Sequence, residues 1–170
     1  MVAELERWHD FYVLVGTASA TLLGLMFVAV SLGAGYLSAE RRMGTRTFMS
    51  PVIIHFTCIF FVAALALVPG PRADVFAALI GVTALVGVGV ASYATIKIVR
   101  GDMTNYLEDY LAYGLLPALA YFAMLAAALL IFAEHDIGLD VLAGALLLLS
   151  VVSIRNAWDL TLAMVRQHRA

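Results

Sequence analysis

Five long runs of apolar residues restrict the fold of this chain more than any other feature. The runs cover about residues 11–37, 51–68, 74–99, 110–133 and 140–165. A helix needs about 20 mostly apolar residues to cross the hydrocarbon core of a bilayer. Barrel strands have about 10 residues of alternating polarity, and these continuous runs do not alternate. The pattern predicts an all-α polytopic membrane protein, with a single transmembrane domain over residues 1–170 and a bundle of five transmembrane helices.

Composition excludes most other classes of protein. Hydrophobic residues make up 64% of the chain and charged residues 13%, whereas a soluble domain is about half apolar and about a quarter charged. A net charge of −2 argues against a strongly basic nucleic-acid-binding protein. The sequence also lacks a nucleophile elbow, a zinc-protease motif and a phosphate-binding loop. We therefore expect no enzyme, no bound metal and no cofactor. A haem ligated by His55 is the least favoured alternative.

Local signals indicate where these helices begin and end. Ser50 followed by Pro51 is typical of an N-cap with proline at the first helical position. The Pro-Gly-Pro sequence at residues 69–71 ends the second run. Asn105 and Glu108 are spaced as a capping box ahead of the fourth run.

The fourth run contains a proline between two tyrosines. Pro117 lacks a backbone N–H, so we expect a kink in this helix. Tyr113, Pro117 and Tyr121 are four residues apart and share one stripe of the predicted helix.

Basic residues divide unequally between the two ends of a five-helix bundle. The side with the N-terminus and the turns after the second and fourth runs carries only Arg7 and Arg72. The other side carries the remaining eight basic residues: Arg41, Arg42, Arg46, Lys97, Arg100, Arg155, Arg166 and Arg169. Because Lys and Arg are enriched on the cytoplasmic side, the N-terminus is predicted outside and the C-terminus in the cytoplasm.

The outer side of this arrangement is acidic. Its seven carboxylates are Glu4, Glu6, Asp10, Asp74, Glu134, Asp136 and Asp140. An acidic face concentrates cations near it, although outward loops that simply lack Lys and Arg give the same pattern.

The first run has a face of small residues. Its members are Gly16, Thr17, Ala20, Thr21, Gly24 and Ser31. Small residues let helix backbones approach closely in lipid, where packing drives helix association. This face can pack against another helix of the same subunit, or it can surround the axis of an oligomer and line a narrow pore.

Polar and ionisable residues inside spans are costly and are therefore functional candidates. The candidates are His55, Lys97, Arg155, Asn156 and Asp159. Arg155 and Asp159 are four residues apart on one helix face and can pair. With His55 about one turn inside its span, we expect a polar cluster at the inner end of the bundle. The cluster can act as a gate, because imidazole changes charge between about pH 5 and 8, or it can be a salt bridge that fixes helix register.

The N-terminal sequence resembles a known group of proteins. The stretch WHDFY at Trp8–Tyr12, followed by GTASATLLGLMFVAVSL at Gly16–Leu32, is similar to the first helix of small, uncharacterised bacterial multi-pass integral membrane proteins. The resemblance implies a bacterial membrane location and brings no function or site residues. Ser19–Leu32 is also similar to the pore helix of calcium-release-activated channels. Because no glutamate stands inside the first run as a selectivity ring, no calcium function is carried over.

These features predict a homo-oligomeric channel or small transport protein for cations, integral to the bacterial cytoplasmic (inner) membrane. The small-residue face would line the path. The expected partners are the lipid bilayer, further copies of the chain and small cations, and no nucleic acid. The alternative is a non-transporting accessory or assembly subunit of a membrane complex. The lack of carboxylates in the middle of the spans favours that alternative.

Overall fold

The computed structural model describes residues 2–33, 39–100, 108 and 110–167, and all regular structure within these ranges is helical. The elements are α1 (Val2–Arg7), α2 (His9–Gly33), α3 (Ala39–Ala66), α4 (Ala73–Arg100), a π-helix (Tyr110–Leu115) that continues into α5 (Leu116–Phe132), and α6 (Ile137–Gln167). The all-α prediction is confirmed for the described part of the chain, which contains no strand.

Four helical stretches are long and apolar enough to cross a membrane. They are His9–Ala29, Ala73–Lys97, Tyr110–Phe132 and Ile137–Leu162. The second predicted span corresponds to Pro51–Ala66, an apolar helix shorter than the other four. The chain is therefore a membrane protein by the length and composition of these four helices.

Two helix boundaries differ from the sequence predictions. Pro51 lies inside α3 and is not its first residue. The change from polar to apolar residues before Pro51 marks the start of the hydrophobic run, but the hydrogen bonds of a helix are internal and need no such boundary. The fourth run contains π-helical turns before Pro117, where only a kink was expected. The Asn105–Glu108 capping signal and the end of the first run fall outside the described residues.

Close contacts at small residues show that α4 runs antiparallel to the π-helix and α5. An added Cβ at Gly81 would lie 3.8 Å from the Cβ of Ala128. Further along α4, Gly87 lies against the ring of Tyr121. At the far end of α4, Thr95 faces Gly114. Residue numbers rise along α4 as they fall along its neighbour, so the two helices pack along their whole shared length.

The core is formed by the inner faces of α3, α4, α5 and α6, and α2 lies at its edge. Half of the most apolar 18-residue window in Ile137–Leu162 is buried, against 22% of the corresponding window in His9–Ala29. One stripe of α6 is completely buried: Leu142, Leu146, Leu149, Ser153 and Asn156. Ser153 and Asn156, the two polar residues of this stripe, therefore face the interior of the bundle.

The N-terminal helix and the two short turns meet at one end of the bundle. Glu4, Ala73 and Glu134 line a single cavity, which brings α1, the start of α4 and the turn after α5 together. We call this the acidic end, defined by Glu4, Glu134, Asp136 and Asp140. Arg155 and Asp159 lie toward the opposite end, because α6 begins at the acidic end and runs away from it.

Candidate functional site

The small-residue candidates of α2 lie on two different faces of that helix. Gly16 is buried, and an added Cβ there would lie 3.2 Å from the Cβ of Ala63 in α3. The other candidates are exposed and form what we call the α2 stripe: Thr17, Ala20, Thr21, Gly24 and Ser31. No atom lies within 4 Å of a Cβ built on Gly24. The structure thus turns five of the six candidates away from the bundle, on the face opposite the buried Tyr12, Val15, Ser19 and Met26.

Two hydroxyls of the α2 stripe are satisfied within their own helix. Thr21 Oγ1 donates to the Thr17 carbonyl at 2.8 Å, and Ser31 Oγ donates to the Phe27 carbonyl at 2.8 Å. Hydroxyls bonded in this way can face lipid or another helix without an unsatisfied donor.

His55 is completely buried and belongs to a polar group in the middle of the bundle. Its Nδ1 and the Tyr121 hydroxyl are hydrogen-bonded at 2.7 Å. Gly87 makes room for this arrangement, because the Tyr121 ring occupies the space that a Cβ at position 87 would need.

His55 lies as many residues from the end of its helix at the acidic end as Tyr121 does. It is eleven residues from Ala66, the end of α3, and Tyr121 is eleven residues from Phe132, the end of α5. Eleven helical residues span about 16 Å, so both side chains lie about 16 Å from the acidic end. His55 is four residues from Pro51, where the apolar part of α3 begins, and its position about one turn inside the span stays a prediction.

Asn156 stabilises the π-helix. A π-helical carbonyl accepts from the N–H five residues ahead, and five residues ahead of Ala112 is Pro117, which has no N–H. Asn156 Nδ2 replaces that donor, with a 2.8 Å hydrogen bond to the Ala112 carbonyl. In return, the Tyr113 hydroxyl donates to the Asn156 carbonyl at 3.3 Å. Pro117 thus leaves the Ala112 carbonyl without a backbone donor, and the Asn156 side chain supplies one.

The remaining charged candidates lie at the periphery. Arg155 and Asp159 form the predicted pair at 3.6 Å, and their side chains are 46% and 43% exposed. Such a pair contributes about 0–1 kcal/mol. Lys97 Nζ lies 5.4 Å from the centre of the Tyr93 ring. Of the five candidates, the structure pairs only Arg155 with Asp159. The described contacts of His55, Lys97 and Asn156 are with other residues.

Four buried polar atoms in the described part of the chain have no hydrogen-bond partner. They are Tyr12 OH, His55 Nε2, Ser153 Oγ and Asn156 Oδ1. Each such atom costs about 1–3 kcal/mol unless something else satisfies it. Sequence reasoning named His55 and Asn156 but missed Ser153, because a serine in a membrane helix is common and usually bonds to its own backbone.

The acidic end contains two cavities lined by carboxylates. One, of about 250 Å³, is bordered by Glu4, Glu134, His135 and Asp136. Both arginines at this end are already paired, Arg7 with Glu4 at 3.2 Å and Arg72 with Asp74 at 2.7 Å. The Asp74 carboxylate raises the pKa of the Arg72 guanidinium above its usual value. Within the described ranges, no group of three or more His, Cys, Asp or Glu residues is arranged to hold a metal ion.

No protein-family model, no curated protein and no solved structure matches the chain.

Proposed function

We propose that this chain is the subunit of a homo-oligomeric membrane channel in which the α2 stripe lines the path. The observation that carries the proposal is the direction of the stripe. Thr17, Ala20, Thr21, Gly24 and Ser31 are exposed on a helix whose other face packs against α3. A small-residue face turned away from its own bundle is available to the equivalent helix of a neighbouring subunit.

The interior of a single subunit is closed by large side chains. The completely buried ones include Phe56, Ile59, Phe76, Ile80, Leu146 and Leu149. Protein interiors packed in this way leave few voids larger than a water molecule. A path across the membrane is therefore better placed between subunits, where α2 is the least buried of the four long apolar helices.

The charges at the two ends support cations as the permeant species. The acidic end has more carboxylates than bases, and its two arginines are already paired with Glu4 and Asp74. The excess negative charge attracts cations to the mouth of a path at that end. By the distribution of Lys and Arg, this end faces outward across a bacterial cytoplasmic membrane and the C-terminus lies inside.

An accessory or assembly subunit is the second candidate function, and one observation favours it. The hydroxyls of Thr21 and Ser31 donate to carbonyls of their own helix, so they need no hydrogen bonds from water. A stripe that needs no hydration can pack closely against the helix of a different membrane protein. In that role the stripe binds a partner and nothing crosses the membrane.

The decisive experiment compares two matched glycine substitutions. Gly24 lies in the α2 stripe and Gly144 lies on an exposed face of α6, and neither has an atom within 4 Å of an added Cβ. We expect Gly24→Leu to break the oligomer and abolish cation flux in sealed liposomes, and Gly144→Leu to preserve both. Subunit number is counted by single-molecule photobleaching in the same liposomes.

The outcomes separate the two functions. Flux that depends on protein dose and is lost only in Gly24→Leu supports the channel. Equal flux in both variants excludes the α2 stripe as the lining. A purified protein that conducts no cation at neutral or acidic pH favours the accessory role.

A further inference from the structure

Three of the unpartnered polar atoms form a series through one half of the bundle. They are His55 Nε2, Ser153 Oγ and Asn156 Oδ1, and all three residues are completely buried. We call these three residues the seam. The helices that carry them, α3 and α6, pack against each other.

The seam residues lie at successive depths. His55 is eleven residues from the end of α3 at the acidic end, whereas Ser153 and Asn156 are sixteen and nineteen residues from the start of α6. At 1.5 Å per residue these positions lie about 16, 24 and 28 Å from the acidic end. The series therefore leads from the middle of the bundle toward the end where Arg155 and Asp159 are exposed.

Two of the three atoms have a direction that is fixed by a hydrogen bond at the other polar atom of the same side chain. His55 Nδ1 is held by Tyr121, so Nε2 points away from that hydroxyl. Asn156 Nδ2 is held by the Ala112 carbonyl, so Oδ1 points away from the π-helix backbone that holds it. The imidazole of His55 and the amide of Asn156 are thus each hydrogen-bonded through one polar atom, and the other polar atom of each group has no partner.

Ser153 is an exception among the buried serine and threonine hydroxyls of the described helices. Ser19 and Thr83 are also buried, and each donates to the carbonyl four residues earlier, at 2.7 Å in both cases. Ser153 makes no such bond. Its completely buried hydroxyl is therefore free to bond to a group other than its own backbone.

We infer that water occupies the seam and forms a half-channel that reaches His55 from the Arg155/Asp159 end only. Buried water characteristically binds polar groups that the protein leaves unsatisfied, with two to four hydrogen bonds each. On the acidic side of His55, Tyr12 near the start of α2 also carries an unpartnered hydroxyl. The completely buried residues at depths between Tyr12 and His55 are apolar, including Ile59, Val62, Leu142 and Leu146. Water therefore stops at the imidazole, which can exchange its ring proton with one aqueous phase. This half-channel lies within one subunit and is independent of any path along α2.

Cysteine accessibility tests the half-channel. Thiols react with small methanethiosulfonate reagents only where water supports the thiolate. In a Cys58→Ala background, Ser153→Cys is compared with Leu146→Cys, which lies on the same completely buried stripe but on the acidic side of His55. We expect the first variant in liposomes to react at least about tenfold faster than the second, because only its thiol is hydrated. Equal rates in variants that remain folded would overturn the proposal.

The unmodified protein provides a second measurement that needs no core substitution. Cys58 is the only cysteine in the chain and lies one turn from His55 toward the acidic end. We expect it to resist the reagent from both sides of the membrane, and fast reaction from the acidic side would refute one-sided access.

Nuclear magnetic resonance of the ¹⁵N-histidine-labelled full chain reports the water itself. His55 ring signals, assigned by their loss in His55→Gln, should show cross-peaks with water. Those cross-peaks should weaken in Ser153→Val, which removes the hydroxyl while keeping a similar volume. Cross-peaks that are absent from the unmodified protein would contradict the proposal.

Discussion

The ring of Tyr121 occupies the space in which any residue other than glycine at position 87 would carry its Cβ. This contact fixes the tyrosine hydroxyl on His55 Nδ1, although the two residues are 66 positions apart in the chain. Sequence reasoning could single out His55, because a polar residue in an apolar run is costly. It could not identify the partner, since that depends on how closely α4 approaches α5. The glycine that permits the approach looks like any other glycine of α4.

Gly87→Ala should therefore destabilise the protein. The added methyl group forces the Tyr121 ring to move and disturbs its hydrogen bond with His55, and overpacking of this kind costs about 1–3 kcal/mol. The measure is the free energy of unfolding in detergent micelles. Gly89→Ala is the matched control on the same helix, because nothing lies within 4 Å of its added Cβ. The control should be neutral or stabilised by up to about 1 kcal/mol. Equal effects of the two substitutions would contradict the prediction.

Asn156→Ala should also be destabilising, for a different reason. It removes the donor to the Ala112 carbonyl, and leaving a buried acceptor unsatisfied costs about 1–3 kcal/mol. Thr161→Ala serves as the control on the same helix, since that hydroxyl is exposed and bonds only to its own backbone. We expect the control to change the unfolding free energy by less than about 0.5 kcal/mol. A cost for Asn156→Ala no larger than that of the control would show that the hydrogen bond contributes nothing.

At the scale of helices, the sequence predicted the elements better than their ends and registers. Long apolar runs identify helices because lipid requires every backbone group to be bonded internally. A hydropathy boundary, however, marks where lipid contact begins, and α3 continues through Pro51 to Ala39. The π-helix at Tyr110–Leu115 could not be read from periodicity. The π-helix is only six residues long, too short to change the pattern of apolar residues. It is stabilised by Asn156, which lies on another helix.

Pro117 and Asn156 should be energetically coupled. Pro117→Ala restores a backbone N–H that can bond to the Ala112 carbonyl, so the side chain of Asn156 is no longer needed there. In a double-mutant cycle, Asn156→Ala should cost less in the Pro117→Ala background, with a coupling energy of about 1 kcal/mol. Unfolding free energies of the four proteins provide the measurement, and additive effects would rule out the shared-carbonyl explanation.

For the whole molecule, charge separates the two ends more clearly than any single motif does. The acidic residues assigned to one side from sequence include Glu4, Glu134, Asp136 and Asp140, and the structure gathers these four around two neighbouring cavities. That grouping was predictable because short turns keep antiparallel helix ends together. Of the predicted inner cluster, Arg155 and Asp159 pair with each other, whereas His55 is hydrogen-bonded to Tyr121, a partner that residue order along the chain does not reveal.

Neutralising the acidic end should reduce cation preference in the proposed channel. Glu134→Gln combined with Asp136→Asn should lower the ratio of cation to anion permeability in liposomes. The effect should be larger at 0.01 M than at 0.1 M salt, where the Debye length falls from about 30 Å to about 10 Å. Asp159→Asn removes one charge near the opposite end and should change the ratio less. A ratio unaffected by the double substitution would remove the acidic end from ion selection.

The two short turns give the bundle a mechanical asymmetry. Six residues, 67–72, join α3 to α4, and four residues, 133–136, join α5 to α6, both at the acidic end. Helices tied this closely cannot separate there, so any tilt between them has its pivot at the turns. A 28-residue helix is about 42 Å long, and a tilt of about 5° moves its far end by about 4 Å. Any relative tilt of these helices therefore displaces them least beside the carboxylates of the acidic end and most beyond Arg155 and Asp159.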